Sequence, residues 1–507
     1  MTLLHLRILL LLAVGISFYY NLHAVPLFDL DEGAFSEATR EMLLNGDYIS
    51  TYLNNLPRYD KPILIYWLQA ISVSIFGLNE FALRLPSALA ATAWVFVIYW
   101  FLRKLRDEKV ALIAAVMTAT ALEISIISKA ATADALLNLF LAAEMLLLYL
   151  YYIYVRKMYL YLVFFFMGLG VLTKGPVAIL IPLVVSFIFF SLKGKWRDWL
   201  HAAFNIKAWL IFLAVAMPWY VLQYIRKGDE FIQGFIMKHN VSRFNSAMET
   251  HDGNYFYFIP IVLLGVWPFT TVLLKLFTRI KPMLKDDLSL YMIIWFGFVF
   301  VFFSFSATKL PHYIIYGFTA LIILMALRVQ ELKSNPLAFL PPVLFVFLIL
   351  LIPVLAEPVR SFVDDREVLL IVNYFIAESH HSYLMVSGFT LVLLLYAMFE
   401  KRWPVYEKLL ISGVFLAFTV SSTLMPIIAE VRQKPIKEAA LLAKQKNLQV
   451  VFWKLNTPSF NVYSESISER REPKPGEYCL THAWNLTDLN IEQVLYEKHG
   501  IVLIKIH

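Results

Sequence analysis

Apolar stretches of about 20 residues, the length that crosses roughly 30 Å of hydrocarbon, recur through most of the chain between short polar connections. They begin near Leu6, Phe81, Val110, Ala135, Tyr159, Val177, Ala208, Phe258, Leu288, Pro311, Leu337, Tyr383 and Tyr406, which predicts about thirteen spanning helices by the hydropathy rule. Residues 427–507 break the pattern. Their periodicity predicts a helix over 435–446, strands over 449–455 and 478–481, a helix over 491–498 and a strand over 501–506. The predicted fold class is mainly α: a polytopic transmembrane bundle over residues 1–426 with a small soluble α/β domain over 427–507. The first 24 residues, with Arg7 ahead of an apolar run and further spans behind it, predict an uncleaved signal-anchor helix.

The connections alternate in character. One set is basic: Arg103, Lys104, Arg106 and Lys109; Arg156 and Lys157; Lys193, Lys195 and Arg197; Arg279, Lys281 and Lys285; Arg328 and Lys333; Lys401, Arg402 and Lys408. Basic loops stay in the cytoplasm, so the N-terminus is expected there and an odd number of spans puts the C-terminal domain outside. The outer set contains two long loops, about 28–80 and 227–257. In the first, Glu37, Ala38, Met42 and Leu43 fall at helical spacing, as in an amphipathic helix lying in the membrane interface.

Composition supports this frame: 60% of residues are hydrophobic and 16% charged, against about half and a quarter in soluble domains. The net charge of +7 resides in the topological loops, with no basic stripe for nucleic acid. Cys479 is the only cysteine, which excludes an intrachain disulfide and a cysteine-based metal site. The chain has no P-loop, dinucleotide glycine fingerprint or Gly-x-Ser-x-Gly elbow.

The candidate chemistry lies on the outer side. Asp29-Leu30-Asp31-Glu32 follows the first span, and Asp134 opens a later one. Two carboxylates facing one wet cleft can act as general base and orienting partner. Lys61, Lys129, Lys174, Arg243 and Lys309 sit at outer boundaries where lysine and arginine are depleted. Snorkelling to lipid phosphates explains one such residue, whereas the set predicts a clamp for a phosphate group. Asp60, His239, His251 and His312 offer weak metal-ligand spacing, without a close histidine pair.

At these residues the chain resembles a family. It is similar to the GT-C-type polyprenyl-phosphate-dependent membrane glycosyltransferases, in the branch holding the ArnT-like lipid A aminoarabinose transferases and, more distantly, the protein O-mannosyltransferases. The matching stretches are Asp31-Glu32-Gly33 with Glu37, Arg40-Glu41-Met42, Tyr59-Asp60-Lys61-Pro62 with Tyr66-Trp67, Thr132-Ala133-Asp134, Leu172-Thr173-Lys174-Gly175-Pro176, His239 to Phe244, and Lys309-Leu310-Pro311-His312-Tyr313. They run in the family's order over two thirds of the chain. Ala34-Phe35 stands where the family pattern has Arg-Tyr, which removes a cation and a hydroxyl.

The resemblance implies a bacterial inner-membrane enzyme that moves a hexosyl or pentosyl unit from undecaprenyl phosphate to a periplasmic acceptor: lipid A, another envelope glycan or a protein. Its partners would be that lipid-linked donor, the acceptor and the phospholipid membrane, with no nucleic acid. Asp31 and Asp134 would be the catalytic carboxylates. Lys61 and Arg243 would bind the lipid phosphate, with Lys174, Lys309, Tyr313, Glu32 and Tyr59 around the same cavity. Asp60 and His239 could hold a divalent cation; no cofactor is otherwise implied. The rival function is a transporter or flippase of a lipid-linked glycan, which would place its charges near the midplane on broken helices of paired repeats.

Overall fold

The computed structural model describes residues 1–242, 254–378 and 380–507, apart from the side chains at 236 and 239–242. Among the described residues nine helices are long and apolar enough to cross a membrane. The other four expected spans fall on shorter or broken helices. Leu3–Tyr19 and Val177–Leu192 are short, Glu108–Thr120 turns at Ala121 into Leu122–Ile127, and residues 258–277 divide into Phe258–Gly265 and Thr270–Phe277. The last break contains Trp267-Pro268, and proline interrupts the helical ladder.

The hydropathy pattern cannot rank these helices by depth, and packing does. In the most apolar 18-residue stretch of Asp134–Tyr154 and of Pro311–Glu331, 78% of the residues are buried, against 22% in that of His381–Phe399. The first two form the bundle's axis and the third its margin. Buried aromatic rings satisfy their polar atoms across the axis, as rings with an N–H or O–H must. Trp94 donates to Thr319, Trp295 to the Tyr316 carbonyl and Tyr291 to the Met145 carbonyl.

The basic connections meet at one end and cross-link there. Arg7 pairs with Glu108, Arg106 with Asp286, Lys193 with Asp287, and Arg279 and Arg328 with Glu331. The ammonium of Lys109 lies over the Tyr406 ring, which ties the last basic loop to the others. The long loop 28–80 and the C-terminal domain occupy the opposite end.

The C-terminal sheet runs Val450–Phe452, Tyr478–His482, Ile501–Ile506, Ile491–Lys498, with the first pair parallel and the rest antiparallel. Helix Lys434–Gln445 packs on one face. The helix predicted over 491–498 is therefore corrected to an edge strand. Ile491, Val494 and Lys498 have helical spacing, but His499 and Gly500 both adopt positive φ, 43° and 74°. That two-residue turn folds the segment back on Ile501–Ile506, and pairing outweighs local spacing.

Helix Asp31–Asn45 forms where the amphipathic pattern predicts it and ends at Gly46 with φ 65°, the left-handed close that glycine accepts without strain. It is buried along most of its length. The short helix Pro458–Ser464 of the C-terminal domain packs over its polar side. Glu37 and Arg40 pair at 2.6 Å under that cover, and Glu41 accepts the backbone N–H groups of Asn54 and Asn55. The C-terminal domain is thus seated on the loop that carries the candidate carboxylates.

Candidate active site

A cavity of about 310 Å³ lies at the end opposite the basic loops, lined by Asp29, Asp31, Glu32, Arg84, Lys129, Asp134 and His312 among others. Three helix ends and a tight turn converge on it. Asp31 and Glu32 begin one helix, Asp134 begins another, and Lys174 ends a third. Carboxylates at N-termini and an ammonium at a C-terminus match the helix dipoles. Gly175, at φ 81°, turns the chain after Lys174, and a Cβ there would come within 2.7 Å of Phe235.

Asp134 is the most heavily engaged group. Its Oδ1 lies 2.5 Å from Lys174 Nζ, 3.4 Å from the Tyr316 hydroxyl and 4.0 Å from His312 Nε2. Lys174 also donates to Tyr316 at 2.7 Å. Tyr313 and Tyr316 stand three residues apart on the 3₁₀ helix Pro311–Gly317, where positions i and i+3 eclipse. The Lys174 ammonium consequently lies near both rings, 6.0 and 5.4 Å from their centroids. The charge of Lys61 reaches Asp134, and that of Asp31 reaches His312.

Asp31 differs in being exposed to the cavity, and its carboxylate has no hydrogen bond or ion pair among the described residues. Its neighbour Glu32 is committed. Both Glu32 oxygens face the guanidinium of Arg84, at 2.9 and 2.8 Å, and accept the N–H groups of Ala131 and Phe28. Arg84 spends its remaining donors on the carbonyls of Leu22, Val25 and Pro26. Glu32 lines the cavity, yet its work is to tie the loop before Asp31 to the bundle.

Of the other expected residues, Lys309 and Tyr59 lie apart from this centre, whereas the charge of Lys61 acts on Asp134 and His312. Lys309 is buried and donates to the Ser306 carbonyl at 2.8 Å. It satisfies the C-terminal end of helix Asp287–Phe305 instead of lining the cavity, as a cation at a helix C-terminus does. Tyr59 packs its ring on Phe231 and Gly234. Asp60 lies 3.5 Å from Arg58, and Lys61 Nζ donates to the Asp60 carbonyl. Arg243 and the His239 side chain lie outside the described residues. No group of three His, Cys, Asp or Glu side chains suited to a metal occurs among the described residues, and Asp60 is already partnered by a cation.

Burial sets the proton affinities beside the cavity. The Asp29 carboxyl is pushed up to about 7 by burial, against the pull of hydrogen bonds from Ser459. Burial likewise pushes the Lys129 ammonium down to about 7, with the Arg84 charge adding to the effect. Lys129 donates to Ser421 Oγ at 2.7 Å and to the Ile16 carbonyl. Gly33 is required by this crowding: a Cβ would stand 1.9 Å from Asp29 Oδ1 and 2.7 Å from the Ser459 nitrogen.

Arg84, Tyr316 and Ser459 were not among the expected site residues. Arg84 carried a readable signal, a cation at the outer end of a span. Tyr316 and Ser459 carried none, because their roles arise from distant segments.

Residues 60–222 match the family model described as dolichyl-phosphate-mannose-protein mannosyltransferase. An uncharacterized protein of Aquifex aeolicus is 30% identical over 308 residues, covering 61% of this chain and 69% of the relative. The chain belongs to the ArnT-like, GT-C-type membrane glycosyltransferase family. An undecaprenyl phosphate-alpha-4-amino-4-deoxy-L-arabinose arabinosyl transferase of Erwinia tasmaniensis is 28% identical over 328 residues, covering 63% of this chain and 59% of the relative. The chain thus matches about three fifths of the length of that curated relative. Crystallised ArnT from Cupriavidus metallidurans bound to undecaprenyl phosphate has the same fold, with a TM-score of 0.82 at 20% identity over 98% of this chain and 97% of its own.

Proposed function

We propose that the protein is an inner-membrane glycosyltransferase that moves a hexosyl or pentosyl unit from undecaprenyl phosphate to an envelope acceptor at the periplasmic face, with lipid A as the acceptor to test first. One observation carries this reading. A single cavity joins an uncommitted carboxylate, Asp31, to His312 and to Asp134, which is held in a buried ion pair with Lys174. Membership of the family and the fold shared with the ArnT that binds undecaprenyl phosphate support it.

The chemistry is a single displacement with inversion. The acceptor oxygen bonds to the anomeric carbon as its proton passes to Asp31. The bond from that carbon to the phosphate oxygen breaks, and undecaprenyl phosphate leaves with the electron pair. Lys61, Lys129 and Arg243 receive the growing charge on the phosphate, and such donors act most strongly where water is excluded. Asp134 fixes the Lys174 ammonium and the Tyr316 hydroxyl instead of taking the proton, because its own charge is already compensated. The donor's sugar is selected beside Ala34 and Phe35. Phe35 stacks on Tyr66, and Arg58 lies over its face, so a guanidinium and a phenol from other segments stand beside the position where the family pattern has Arg-Tyr.

The placement of the charges disfavours a flippase, since the cationic and acidic groups of the cavity gather at one end of the bundle. The deciding experiment incubates the protein in lipid nanodiscs with undecaprenyl-phosphate aminoarabinose and lipid A, and follows lipid A by mass spectrometry. Added sugar in the parent and its loss in Asp31→Asn support the reading. Equal transfer by both proteins overturns the assignment of Asp31, and movement of the donor across vesicles without product favours the flippase.

A further inference from the structure

A second cavity, of about 380 Å³, opens between the C-terminal domain and the membrane bundle. It is lined by Glu367, Arg432, Gln433, Lys454, Asn456, Thr457, His482 and His499 among others, and Asp29 and Leu30 line both cavities. Its volume falls within the roughly 300–1,000 Å³ of small-ligand sites. We propose that this second cavity is a saccharide-binding subsite that seats the sugar head of the acceptor and directs its hydroxyl past Asp29 into the first cavity. The inference rests on the glycosyltransferase reading and adds where the acceptor docks and by which chemistry.

Three features select a sugar. First, Thr457 is 3% exposed, and its hydroxyl has no hydrogen-bond partner among the described residues. A buried hydroxyl left unpaired costs about 1–3 kcal/mol, and a ligand hydroxyl entering the cavity satisfies it. Second, the cations are already neutralised: Arg432 pairs with Glu367, and Lys454 with Asp488 at 2.9 Å. A sugar ring uses the amides of Asn456 and Gln433 and leaves these pairs intact. Third, His482 stacks on Trp484 with centroids 4.1 Å apart and planes at 12°. Burial lowers its proton affinity, so a neutral imidazole faces the ligand and can both donate and accept.

The position gives the subsite its purpose. Gln433 Oε1 accepts the Asp29 backbone N–H, and Ser459 holds the Asp29 carboxylate, so the partition between the cavities is built from both domains. Asp31 lies two residues beyond it. An acceptor ring seated against Thr457 and Asn456 lies on the other side of that partition from Asp31.

The test uses the full chain in lipid nanodiscs and the β-1,6-linked N-acetylglucosamine disaccharide as probe, followed by saturation-transfer NMR. The expected result is saturable binding in the parent, with affinity weakened at least about tenfold in Asn456→Ala and in Thr457→Trp. Undecaprenyl phosphate binding should stay unchanged in both variants, which also shows that they are folded. No saturable signal in the parent, equal signals in parent and variants, or displacement of the disaccharide by inorganic phosphate overturns the inference. The probe carries no activated sugar, so its binding is read whether or not transfer to lipid A is detected, and the two proposals fail separately.

Discussion

Ser459 holds Asp29 by both carboxylate oxygens across a separation of 430 residues, donating its backbone N–H at 3.0 Å to one and its hydroxyl to the other. This clasp locks the C-terminal domain onto the loop that presents Asp31. Because burial raises the Asp29 pKa to about 7, the folded state binds a proton there that the unfolded chain, near 3.8, releases. Stability from this group is therefore present below the unfolded value and is lost as pH rises from about 4 towards 7. Asp29→Asn should flatten that part of the pH dependence, read as melting temperature in detergent from pH 4 to 8. An unchanged slope means that Asp29 is ionised throughout.

Lys129 titrates with the opposite sign. Its pKa falls from 10.5 in the unfolded chain to about 7 in the fold, so stability is lost as pH falls from about 10 towards 7. A phosphate entering the cavity favours the charged ammonium. Undecaprenyl phosphate should therefore bind with proton uptake near neutral pH and more weakly at pH 8.5 than at 6.5. Calorimetry in buffers of different ionisation enthalpy measures the uptake, and Lys129→Gln should abolish its Lys129-dependent part.

Breaking the pair between Lys174 and Asp134 leaves a buried charge uncompensated. Lys174→Met alone should cost about 3–5 kcal/mol, whereas Lys174→Met with Asp134→Leu should recover much of that loss. Equilibrium unfolding of the two single variants and the double variant closes the cycle. Additive losses would show that the two groups act independently.

Asp31→Asn should keep the fold and lose function, because its carboxylate faces the cavity with no protein partner among the described residues. Removing a general base typically lowers the rate by about 10²–10⁴-fold. Sugar transfer at saturating acceptor should fall by that amount with the melting temperature unchanged.

Arg84→Met should act through geometry. Glu32 loses its guanidinium, the loop 22–26 loses the donor to three carbonyls, and Asp31 loses its anchor. Melting temperature and transfer should fall together, which separates this variant from Asp31→Asn.

Much of this was legible in the chain. Apolar runs, basic loops and the boundary positions of Asp31, Asp134 and Lys174 follow from the free energy of placing side chains in hydrocarbon, a property of each residue and its neighbours. The start of a helix at Asp134 and the end of one at Lys174-Gly175-Pro176 are local as well. The edge strand Ile491–Lys498 was misread because its pairing partner, not its own spacing, decides its shape.

By itself the sequence determined a membrane bundle with its cations sorted to one end and a polar cap at the other, since hydration costs are paid residue by residue. Only the tertiary structure decided which charges were already spent. Glu32 went to Arg84 and Asp134 to Lys174, Lys309 capped a helix, and Asp29 was clasped by Ser459, while Asp31 stayed free to face the cavity. Those outcomes depend on distances between segments remote in the chain, and no local pattern encodes a distance that folding alone creates.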